Sequence, residues 1–301
     1  MAKITAVCLS TTLQRTITFK QLIPEQVNRS EKYHMYASGK AVNSARVLNQ
    51  LESGCADVVC PLGERNAQRF LELAEEDGLQ IHGISIPGYI RECWTLLDRS
   101  DHGTTELVVN EPVSGKCSAE QAASLYSAVS QCMKKSDALL LAGSRPDIWP
   151  LDMSAQICRI ASVSGKTVMA DFWGPDLQRT LQICTPQIIK INEEEFCGTF
   201  GYGFPLGEAE LKECICRESR KYGNIIVVTR GTQMTFAADK GILHTQPVEK
   251  VAVVNSTACG DSFSAGFLYE YLKAGNMQLA LEKGTWCAAR NAERECPGAV
   301  R

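Results

Sequence analysis

The chain has 301 residues, of which 45% are hydrophobic and 22% charged, so it can bury one large core or two ordinary ones. The formal net charge is −3 and no basic stripe stands out, which argues against a nucleic-acid partner and an anionic membrane surface. No apolar run approaches the roughly 20 residues that span a bilayer, and the N-terminal residues lack the apolar core of a signal peptide.

Short apolar runs alternate with helical patterns along most of the chain. The apolar runs are rich in Val, Ile and Leu, as is typical of strands buried on both faces. The predicted strands are 4–9, 57–60, 138–142, 167–172, 188–191 and 225–229. The predicted helices are 43–52, 66–77, 119–133, 152–164 and 207–222, the first of them opening at Asn43 as N-cap. The alternation predicts an α/β fold with a mostly parallel central sheet and helices on both faces.

Two regions break this rhythm. Residues 16–36 contain β-branched and aromatic residues without a helical period, and residues 91–98 and 104–110 are typical of a β-hairpin around a polar turn. Strands inserted into an α/β body would form a small separate sheet, which we expect to act as a lid beside a cleft. The predicted body is 1–15, 38–90 and 111–301, and the predicted β lid is 16–37 and 91–110.

Fourteen cysteines are scattered along the chain, mostly in apolar contexts, and only four histidines accompany them. Cys214 and Cys216 are close in sequence, but they lie in a helical pattern and lack a second pair that would complete a zinc site. We therefore interpret the cysteines as reduced, small hydrophobic side chains and expect a cytoplasmic protein.

The stretch NSTACGDSFSAGF, residues 255–267, places a Gly-Asp pair between a polar turn and an apolar helical pattern. Asp261 is therefore expected in the first helical turn, where the backbone N–H groups of Ala258 to Asp261 would bind an anion, phosphate above all. Asp261 then serves either as a general base beside a bound phosphate or only as a helix cap, and this stretch alone leaves both interpretations open.

The segment Ala258-Cys259-Gly260-Asp261 resembles the second signature of the PfkB (ribokinase-like) carbohydrate kinases, which is usually Gly-Ala-Gly-Asp. Other segments resemble motifs of that family and follow in the family's order: 37–51, 141–146, 190–195 and 229–231. The resemblance covers essentially the whole chain. It implies a three-layer ribokinase-like fold with a β lid, and transfer of a phosphoryl group from ATP to an alcohol.

Segments 25–31, 90–93 and 109–113 are similar to the hexose-phosphate branch, which includes 1-phosphofructokinase and tagatose-6-phosphate kinase. In that branch basic residues and a serine hold the phosphate that the substrate already carries, and the matching positions are Arg29, Arg91 and Ser144. An Arg side chain suits phosphate oxygens because its donors form a planar fork. The alternative for each arginine is a solvated residue of the lid.

The resemblance also implies a role for each matched residue. Asp261 would be the general base, and the backbone amides of Ala258, Cys259 and Gly260 would hold the developing phosphoryl charge. The residues implied for ATP are Lys190, Asn192, Thr229, Gly231 and Gly260, with Asn192 and Glu195 organising Mg²⁺ through water. The residues implied for the sugar phosphate are Gln14, Arg29, Gly39, Lys40, Asn43, Arg91, Ser144 and Asp261. For Lys40, a role limited to local charge stays open.

Several positions depart from the family pattern, mostly on the sugar side. Gln14 stands where an aspartate is usual, and Ser38 and Ala41 replace glycines. Ala258 replaces a glycine in the anion-binding loop, where a positive φ would be costly for alanine. The expected function is ATP-dependent phosphorylation of fructose 1-phosphate, fructose 6-phosphate or tagatose 6-phosphate by a homodimer that pairs through the lid. The alternatives are a kinase for an unphosphorylated sugar or nucleoside, and a non-catalytic sensor.

Overall fold

The computed structural model describes residues 2–30, 32–110 and 115–301. Its first elements are β1 (Ile4–Val7), β2 (Thr12–Phe19), β3 (Lys32–Ser38), α1 (Lys40–Leu51), β4 (Ala56–Gly63), α2 (Ala67–Glu76), β5 (Gln80–Ile86), β6 (Arg91–Asp98) and β7 (Gly103–Val108). The elements that follow are α3 (Ala119–Met133), β8 (Ala138–Ala142), α4 (Met153–Val163), β9 (Thr167–Asp171), α5 (Gly174–Ile183), β10 (Ile188–Asn192), α6 (Glu193–Phe200), α7 (Glu208–Tyr222), β11 (Ile225–Arg230), β12 (Gln233–Asp239), β13 (Ile242–Gln246), α8 (Cys259–Ala274) and α9 (Met277–Ala292).

The large sheet has nine strands in the order β13-β12-β11-β10-β9-β8-β1-β4-β5. Its antiparallel pairs are β11·β12 and β12·β13, so β12 runs opposite to the other eight strands. All six predicted strands lie in it, and their continuous apolar runs are explained by burial on both faces. The prediction missed β5, β12 and β13, because these strands lie at or next to the two edges and carry exposed or small residues that interrupt the apolar pattern.

Helices cover both faces of the large sheet, so the predicted three layers are confirmed. The core on one face contains side chains of α1, α2, α8 and α9, including Phe70, Phe263 and Phe267. The core on the other face contains side chains of α3 to α7, including Met153 and Phe196. No helix of the described residues is long and apolar enough to cross a membrane.

Helix α1 begins earlier than predicted. Its N-cap is Gly39, with φ 131°, rather than Asn43. A Cβ at Gly39 would lie 2.8 Å from Cys8 Sγ and 3.0 Å from Ser10 O, so this close approach requires glycine. Asn43 consequently lies inside the helix, and its side chain is available for a contact with α8.

A second sheet of four strands, β3-β2-β6-β7, stands apart from the large one, as predicted, and is called the small sheet below. The hairpin of β6 and β7 is confirmed. Strand β2 starts at Thr12 rather than near residue 16, and it pairs with β3 from Thr12 to Thr18. The ladder therefore reaches the start of α1, which places one end of the small sheet beside the body.

Candidate active site

The parallel strands of the large sheet end together at one edge, where polar residues collect. Asp171 ends β9 and Asn192 ends β10, and Asn192 is in register with Thr229 of β11. Helix α8 reaches the same edge, because Ser264 Oγ donates a hydrogen bond of 2.6 Å to Asp171 Oδ2. In open α/β sheets this carboxyl edge is the usual position of a ligand site.

Asp261 lies in the first turn of α8 and is 7% exposed. Asn43 Nδ2 donates a hydrogen bond of 2.9 Å to Asp261 Oδ2, and Ser44 Oγ donates one of 2.9 Å to the Asp261 carbonyl. Two successive residues of α1 therefore hold the carboxylate and its backbone. The predicted position of Asp261 in the first turn is confirmed.

Burial raises the pKa of the Asp261 carboxyl to about 6. The nearby Lys40 ammonium opposes this rise, the Asp171 carboxylate adds to it, and the hydrogen bond from Asn43 opposes it again. A carboxyl group with a pKa close to the working pH can accept a proton and release it again, which suits a general base.

Asp171 is a second buried carboxylate, 1% exposed, that the sequence prediction missed. Burial by itself would raise its pKa, but Lys190, Lys40 and the Ser264 hydroxyl together lower it. Lys190 Nζ lies 3.2 Å from Asp171 Oδ2, and Lys40 Nζ lies 3.5 Å from Oδ1. An ionised Asp171 therefore holds two ammonium groups at the carboxyl edge.

The two lysines are placed beside the start of α8. A Cβ at Gly260 would be 3.0 Å from Lys190 Nζ. Because glycine has no side chain, the Lys190 ammonium can approach the N-terminus of α8 closely. The Asp171 carboxylate raises the pKa of Lys40 well above its usual range, and Glu195, 3.8 Å away, adds to the effect. Both positive charges thus lie near the Asp261 carboxylate.

The loop before α8 presents backbone donors to the same space. Among the described residues, the N–H groups of Ala258, Gly260 and Asp261 have no hydrogen-bond acceptor, while that of Cys259 lies 3.3 Å from Ser256 O. Ala258 adopts φ 65°, the left-handed conformation that glycine takes at lower cost. Helix N-terminal amides and two ammonium groups together form a strong anion site.

Asn192 and Glu195 form a capping box at the start of α6, a structural role that the sequence prediction did not include. Asn192 Oδ1 accepts from Glu195 N at 2.8 Å, and Glu195 Oε2 accepts from Asn192 N at 2.9 Å. Glu195 Oε1 lies outside this box and faces Lys40. The described residues contain no cluster of three His, Cys, Asp or Glu side chains that could hold a metal. Glu195 and Asn192 still fit Mg²⁺, which keeps several waters and takes one or two protein ligands with substrate phosphates.

The small sheet contributes a buried amide near the loop that leads into α8. Gln14 is 7% exposed, and its Nε2 donates to Thr95 Oγ1 at 2.8 Å. The Thr95 hydroxyl in turn lies 3.3 Å from the Thr257 hydroxyl, in the loop that leads into α8. Gln14 is therefore connected to the anion-binding loop through two threonines.

The arginines predicted to bind the substrate phosphate lie at opposite ends of the small sheet. Arg91 is at the body end, where its Nε donates to Thr12 Oγ1 at 3.1 Å. Arg29 lies at the far end, where the adjacent Ser30 Oγ donates to Thr18 O at 2.6 Å. The strand from Thr12 to Thr18 spans about 20 Å at the usual rise per residue. Within one chain the structure therefore does not bring Arg29 and Arg91 together.

Arg29 lines a basic cavity of about 440 Å³. The cationic side chains around this cavity are Lys20, Arg29, Lys32 and Arg99. Glu295 pairs with Lys32 at 2.5 Å and with Arg99 at 3.3 Å. Among the residues that the structure describes, no acidic side chain pairs with Lys20 or Arg29, so these two charges can face a visiting anion.

The family model described as pfkB family carbohydrate kinase matches residues 3–299. The chain belongs to this family of carbohydrate kinases. Phosphofructokinase-2 from Escherichia coli, in its tetrameric inhibited form, has a TM-score of 0.86 at 16% identity, over 97% of this chain and 94% of that chain. A possible 1-phosphofructokinase from Thermotoga maritima has a TM-score of 0.83 at 17% identity, over 97% and 92%. A putative phosphofructokinase from Staphylococcus aureus has a TM-score of 0.76 at 21% identity, over 97% and 92%. The predicted ribokinase-like fold and the predicted class of enzyme, a carbohydrate kinase, are confirmed.

The kinase fold brings most of the predicted residues to the carboxyl edge of the large sheet. Lys40, Asn43, Lys190, Glu195 and Asp261 are joined by the contacts described above. Further predicted residues lie on loops at the same edge: Gly39 at the N-cap of α1, Ser144 exposed after β8, and Gly231 exposed in the turn after β11. Arg29 is the predicted residue that the structure places away from them.

Two predicted features lie partly outside the described residues. Glu31 ends the segment 25–31, and residues 111–113 complete the segment 109–113. The first segment carries Arg29, which lies in the described part of the chain.

Proposed function

We propose that this carbohydrate kinase transfers the γ-phosphoryl group of ATP to a hydroxyl of a hexose phosphate. The observation that carries the proposal is a buried carboxylate, Asp261, in the first turn of a helix. The N–H groups of Ala258, Gly260 and Asp261 beside it have no acceptor among the described residues. Its pKa near 6 allows it to be ionised at neutral pH and still basic enough to accept a proton. Lys40 and Lys190 add positive charge where a phosphoryl group would pass.

In the proposed mechanism Asp261 accepts the proton of the attacking hydroxyl. The hydroxyl oxygen forms a bond to the γ-phosphorus as the bond to the β–γ bridging oxygen breaks, and ADP leaves with the electron pair of that bond. The amides of Ala258, Gly260 and Asp261 stabilise the charge on the transferring group. Lys190 and Lys40 add to this stabilisation without a change in protonation, because Asp171 keeps both paired in advance.

Glu195 and Asn192 are the residues that would hold Mg²⁺, through its water ligands. The ion supplies positive charge to the phosphate oxygens of ATP. The capping box fixes both side chains at the end of β10. Thr229 is in register with Asn192, so it lies at the same end of the sheet as these nucleotide groups.

We place the nucleotide base in an open groove of about 640 Å³ farther along α8 and α9. Glu270 of α8 lies on its wall, about 14 Å along the helix from Asp261 at the usual rise per residue. The buried Thr285 hydroxyl on the same wall has no hydrogen-bond partner among the described residues. A hydrogen-bonding base would satisfy this hydroxyl, and the Trp286 ring supplies apolar contact.

The substrate phosphate is assigned to Arg91 and Ser144, which follow β5 and β8. Both lie toward the carboxyl edge, and an arginine fork with a hydroxyl matches phosphate oxygens. The Escherichia coli phosphofructokinase-2 has been solved in complex with fructose-6-phosphate, and its fold matches this chain with a TM-score of 0.86 at 16% identity. This likeness supports a hexose phosphate as the substrate class.

Arg29 would serve the substrate of a second copy, with the small sheets acting as paired lids. The small sheet has exposed apolar side chains, since Val27 is 80%, Tyr33 48%, Leu107 49% and Val108 61% exposed. Burying such a surface favours a symmetric homodimer. In a dimer, Arg29 at the far end of one sheet can approach the cleft of the other subunit, which it cannot do in its own chain.

Mixing two inactive variants tests this arrangement. Homodimers of Arg29→Ala and of Asp261→Asn should both be impaired, but a mixed dimer has one cleft with both residues intact. Subunit exchange at equal amounts should restore about a quarter of the wild-type activity. No recovery, with exchange verified by mass, would place Arg29 outside the substrate site.

We place the protein in the cytoplasm. Burial raises the pKa of the Cys60 and Cys158 thiols well above the usual range, so both behave as small apolar groups. All fourteen cysteines are free, and this use of cysteine is typical of reducing compartments.

An ADP-release screen tests the proposed function. The acceptors are fructose 1-phosphate, fructose 6-phosphate, tagatose 6-phosphate, fructose and ribose, each with ATP and Mg²⁺. We expect turnover with at least one phosphosugar and at least tenfold lower kcat/KM with fructose and ribose. Turnover only with unphosphorylated sugars would contradict the substrate class. ATP binding without turnover on any acceptor would favour a sensor.

A further inference from the structure

The side-chain amide of Asn43 has a fixed orientation. Its Oδ1 accepts hydrogen bonds from Ser38 Oγ at 2.9 Å and from Arg46 Nη1 at 3.1 Å. Because two donors occupy the oxygen, the amide nitrogen must face the remaining partner, Asp261 Oδ2. Asn43 is 4% exposed, so water has little access to compete for these positions.

Arg46 is a buried cation, 3% exposed, that is held on several sides. Its Nε and Nη2 lie 2.9 and 2.8 Å from Asp77 Oδ2. Its Nη2 also donates to the Ala37 carbonyl, and its Nη1 donates to the Pro297 carbonyl at 2.9 Å. A planar guanidinium with partners on each nitrogen cannot rotate independently, so the direction of Nη1 toward Asn43 is fixed.

The segment Pro297–Gly298 completes the support. A Cβ at Gly298 would lie 2.8 Å from Asn43 O and 3.2 Å from Arg46 Nη1, so the segment packs directly on both residues. The Gly298 amide donates to Asn291 Oδ1 at 2.7 Å, and Asn291 Nδ2 donates to Thr257 O at 2.8 Å. The same segment therefore contacts α1 and, through Asn291, the loop that leads to Asp261.

We propose that Arg46, buttressed by Pro297–Gly298, is a positioning residue that keeps the Asn43 amide N–H directed at the Asp261 carboxylate. The proposal rests on the proposed role of Asp261 as general base. Without the guanidinium, the Ser38 hydroxyl alone contacts the Asn43 oxygen, and a hydroxyl can accept from the amide nitrogen as well as donate to the oxygen. The Asn43 amide can then rotate and present its oxygen to the carboxylate. Two facing oxygens would repel, so the ionised form of Asp261 would be disfavoured.

Other charged and titratable groups also face Asp261, and none of them contacts Arg46. They are Lys40 of α1, Asp171 of β9, Lys190 of β10, Cys8 after β1 and Cys259 of α8. Replacing Arg46 leaves these groups in place, so a change in the ionisation of Asp261 would report on the amide.

The test is a titration of the Asp261 carboxyl carbon by NMR on the full chain, labelled at the aspartate carboxyl position. The resonance is assigned by its loss in Asp261→Asn. The reference protein carries Asp77→Asn, and the test protein carries Asp77→Asn together with Arg46→Met. Asp77 is replaced in both because removing Arg46 alone would leave the Asp77 carboxylate without its partner. We expect the reference to titrate near pH 6, as in the wild type, and the test protein about one pH unit higher.

The same pair of proteins is compared in an Asn43→Ala background. If Arg46 acts through Asn43, the Arg46→Met substitution should move the titration midpoint of Asp261 by less than about 0.3 pH units when Asn43 is already alanine. Equal midpoints for the test and reference proteins in the Asn43 background would overturn the proposal. An equally large shift in the Asn43→Ala background would also overturn it, because Arg46 would then act by another route.

Arg46→Lys provides a second variant in case the double substitution does not fold. An ammonium can still pair with Asp77 but cannot contact Asn43 and Pro297 together, so we expect a smaller shift of the same sign. An unmoved midpoint in this variant would likewise overturn the proposal. The titration needs no substrate, so a failure of the proposed kinase activity in the ADP-release screen remains distinguishable from a failure of this inference.

Discussion

The carboxyl edge of the large sheet and the small sheet hold their charged groups differently. At the carboxyl edge Asp171, Lys190 and Asp261 are nearly inaccessible to water, and each is fixed by ion pairs or hydrogen bonds. In the small sheet the cations around Arg29 line an open cavity, and Glu295 is shared between two of them, Lys32 and Arg99.

This difference separates two tasks of a kinase. A buried edge whose charges are already fixed can stabilise a transferring phosphoryl group without rearranging during the reaction. This stabilisation does not depend on which alcohol attacks. Arg29 is exposed and Arg91 is half-buried, and they lie at opposite ends of the small sheet, so both can contact one phosphate only when a second subunit supplies Arg29. On the proposed function, the carboxyl edge carries out the phosphoryl transfer and the small sheet selects the substrate.

The largest expected effect comes from Asp261→Asn, which removes the proton acceptor and keeps the shape. We expect kcat to fall at least about 100-fold, since a general base typically contributes a factor of 10² to 10⁴. Asp239→Asn, at the end of β12, is the matched control and should retain wild-type kcat. An unchanged kcat in Asp261→Asn would reduce the carboxylate to a helix cap and remove the distinction between the two regions.

The next effect concerns the small sheet. Arg91→Ala should raise KM for the phosphosugar about 10- to 100-fold, because a charge-assisted hydrogen bond contributes about 1.5–3 kcal/mol. KM for ATP should change less than about twofold. Initial rates at varied concentrations of each substrate measure both values, with the surface variant Arg69→Ala as control. Equal rises in both KM values would show that Arg91 does not bind the phosphate of the sugar.

A third prediction concerns the stability cost of the buried carboxylate. The pKa of Asp261 is raised in the folded state, so folding favours the protonated form and stability is lost as the pH rises through about 6. Asparagine mimics the protonated group. Asp261→Asn should therefore exceed the wild type in free energy of unfolding by about 3 kcal/mol at pH 8 and approach it near pH 4.

Urea unfolding at both pH values measures this difference. A variant less stable than the wild type at pH 8 would show that the ionised carboxylate stabilises the fold. At the carboxyl edge, the ion pairs and hydrogen bonds of Asp261 would then outweigh the cost of burying its charge.

The smallest effect concerns Ala258. At φ 65° its Cβ is strained, so Ala258→Gly should raise the free energy of unfolding by about 0.5–1 kcal/mol. Ala274→Gly, in the last turn of the same helix, should lower it by about 1 kcal/mol or less. Thermal and urea unfolding of both variants give the comparison. Destabilisation by both substitutions would contradict a left-handed Ala258.

Local patterns account for what the sequence could predict. The apolar runs and helical periods determine the layers, and the position of Asp261 follows from a polar turn before an amphipathic helix. Asp171 was missed because its importance depends on Lys40 and Lys190, which come from distant segments. The signal in the sequence was a carboxylate, Asp171, at the end of the apolar run that forms β9.

Other features depend on geometry that residue types do not specify. The start of α1 at Gly39 requires a close approach to Cys8, which only the folded chain reveals. Motif matching grouped Arg29 with Arg91, but the length of β2 separates them. The capping box of Asn192 and Glu195 was readable from the spacing, and the same spacing also matched the family's metal motif.

The pH dependence of kcat/KM tests most directly whether Asp261 accepts the proton of the substrate, because kcat/KM reports the ionisation of the free enzyme. The measurement uses wild-type protein with Mg²⁺, and with ATP and an accepted phosphosugar below their KM values, between pH 5 and 8. The base must be ionised, so kcat/KM should fall about tenfold per pH unit below a midpoint near 6. A kcat/KM that stays constant from pH 8 to pH 5 would contradict the assignment.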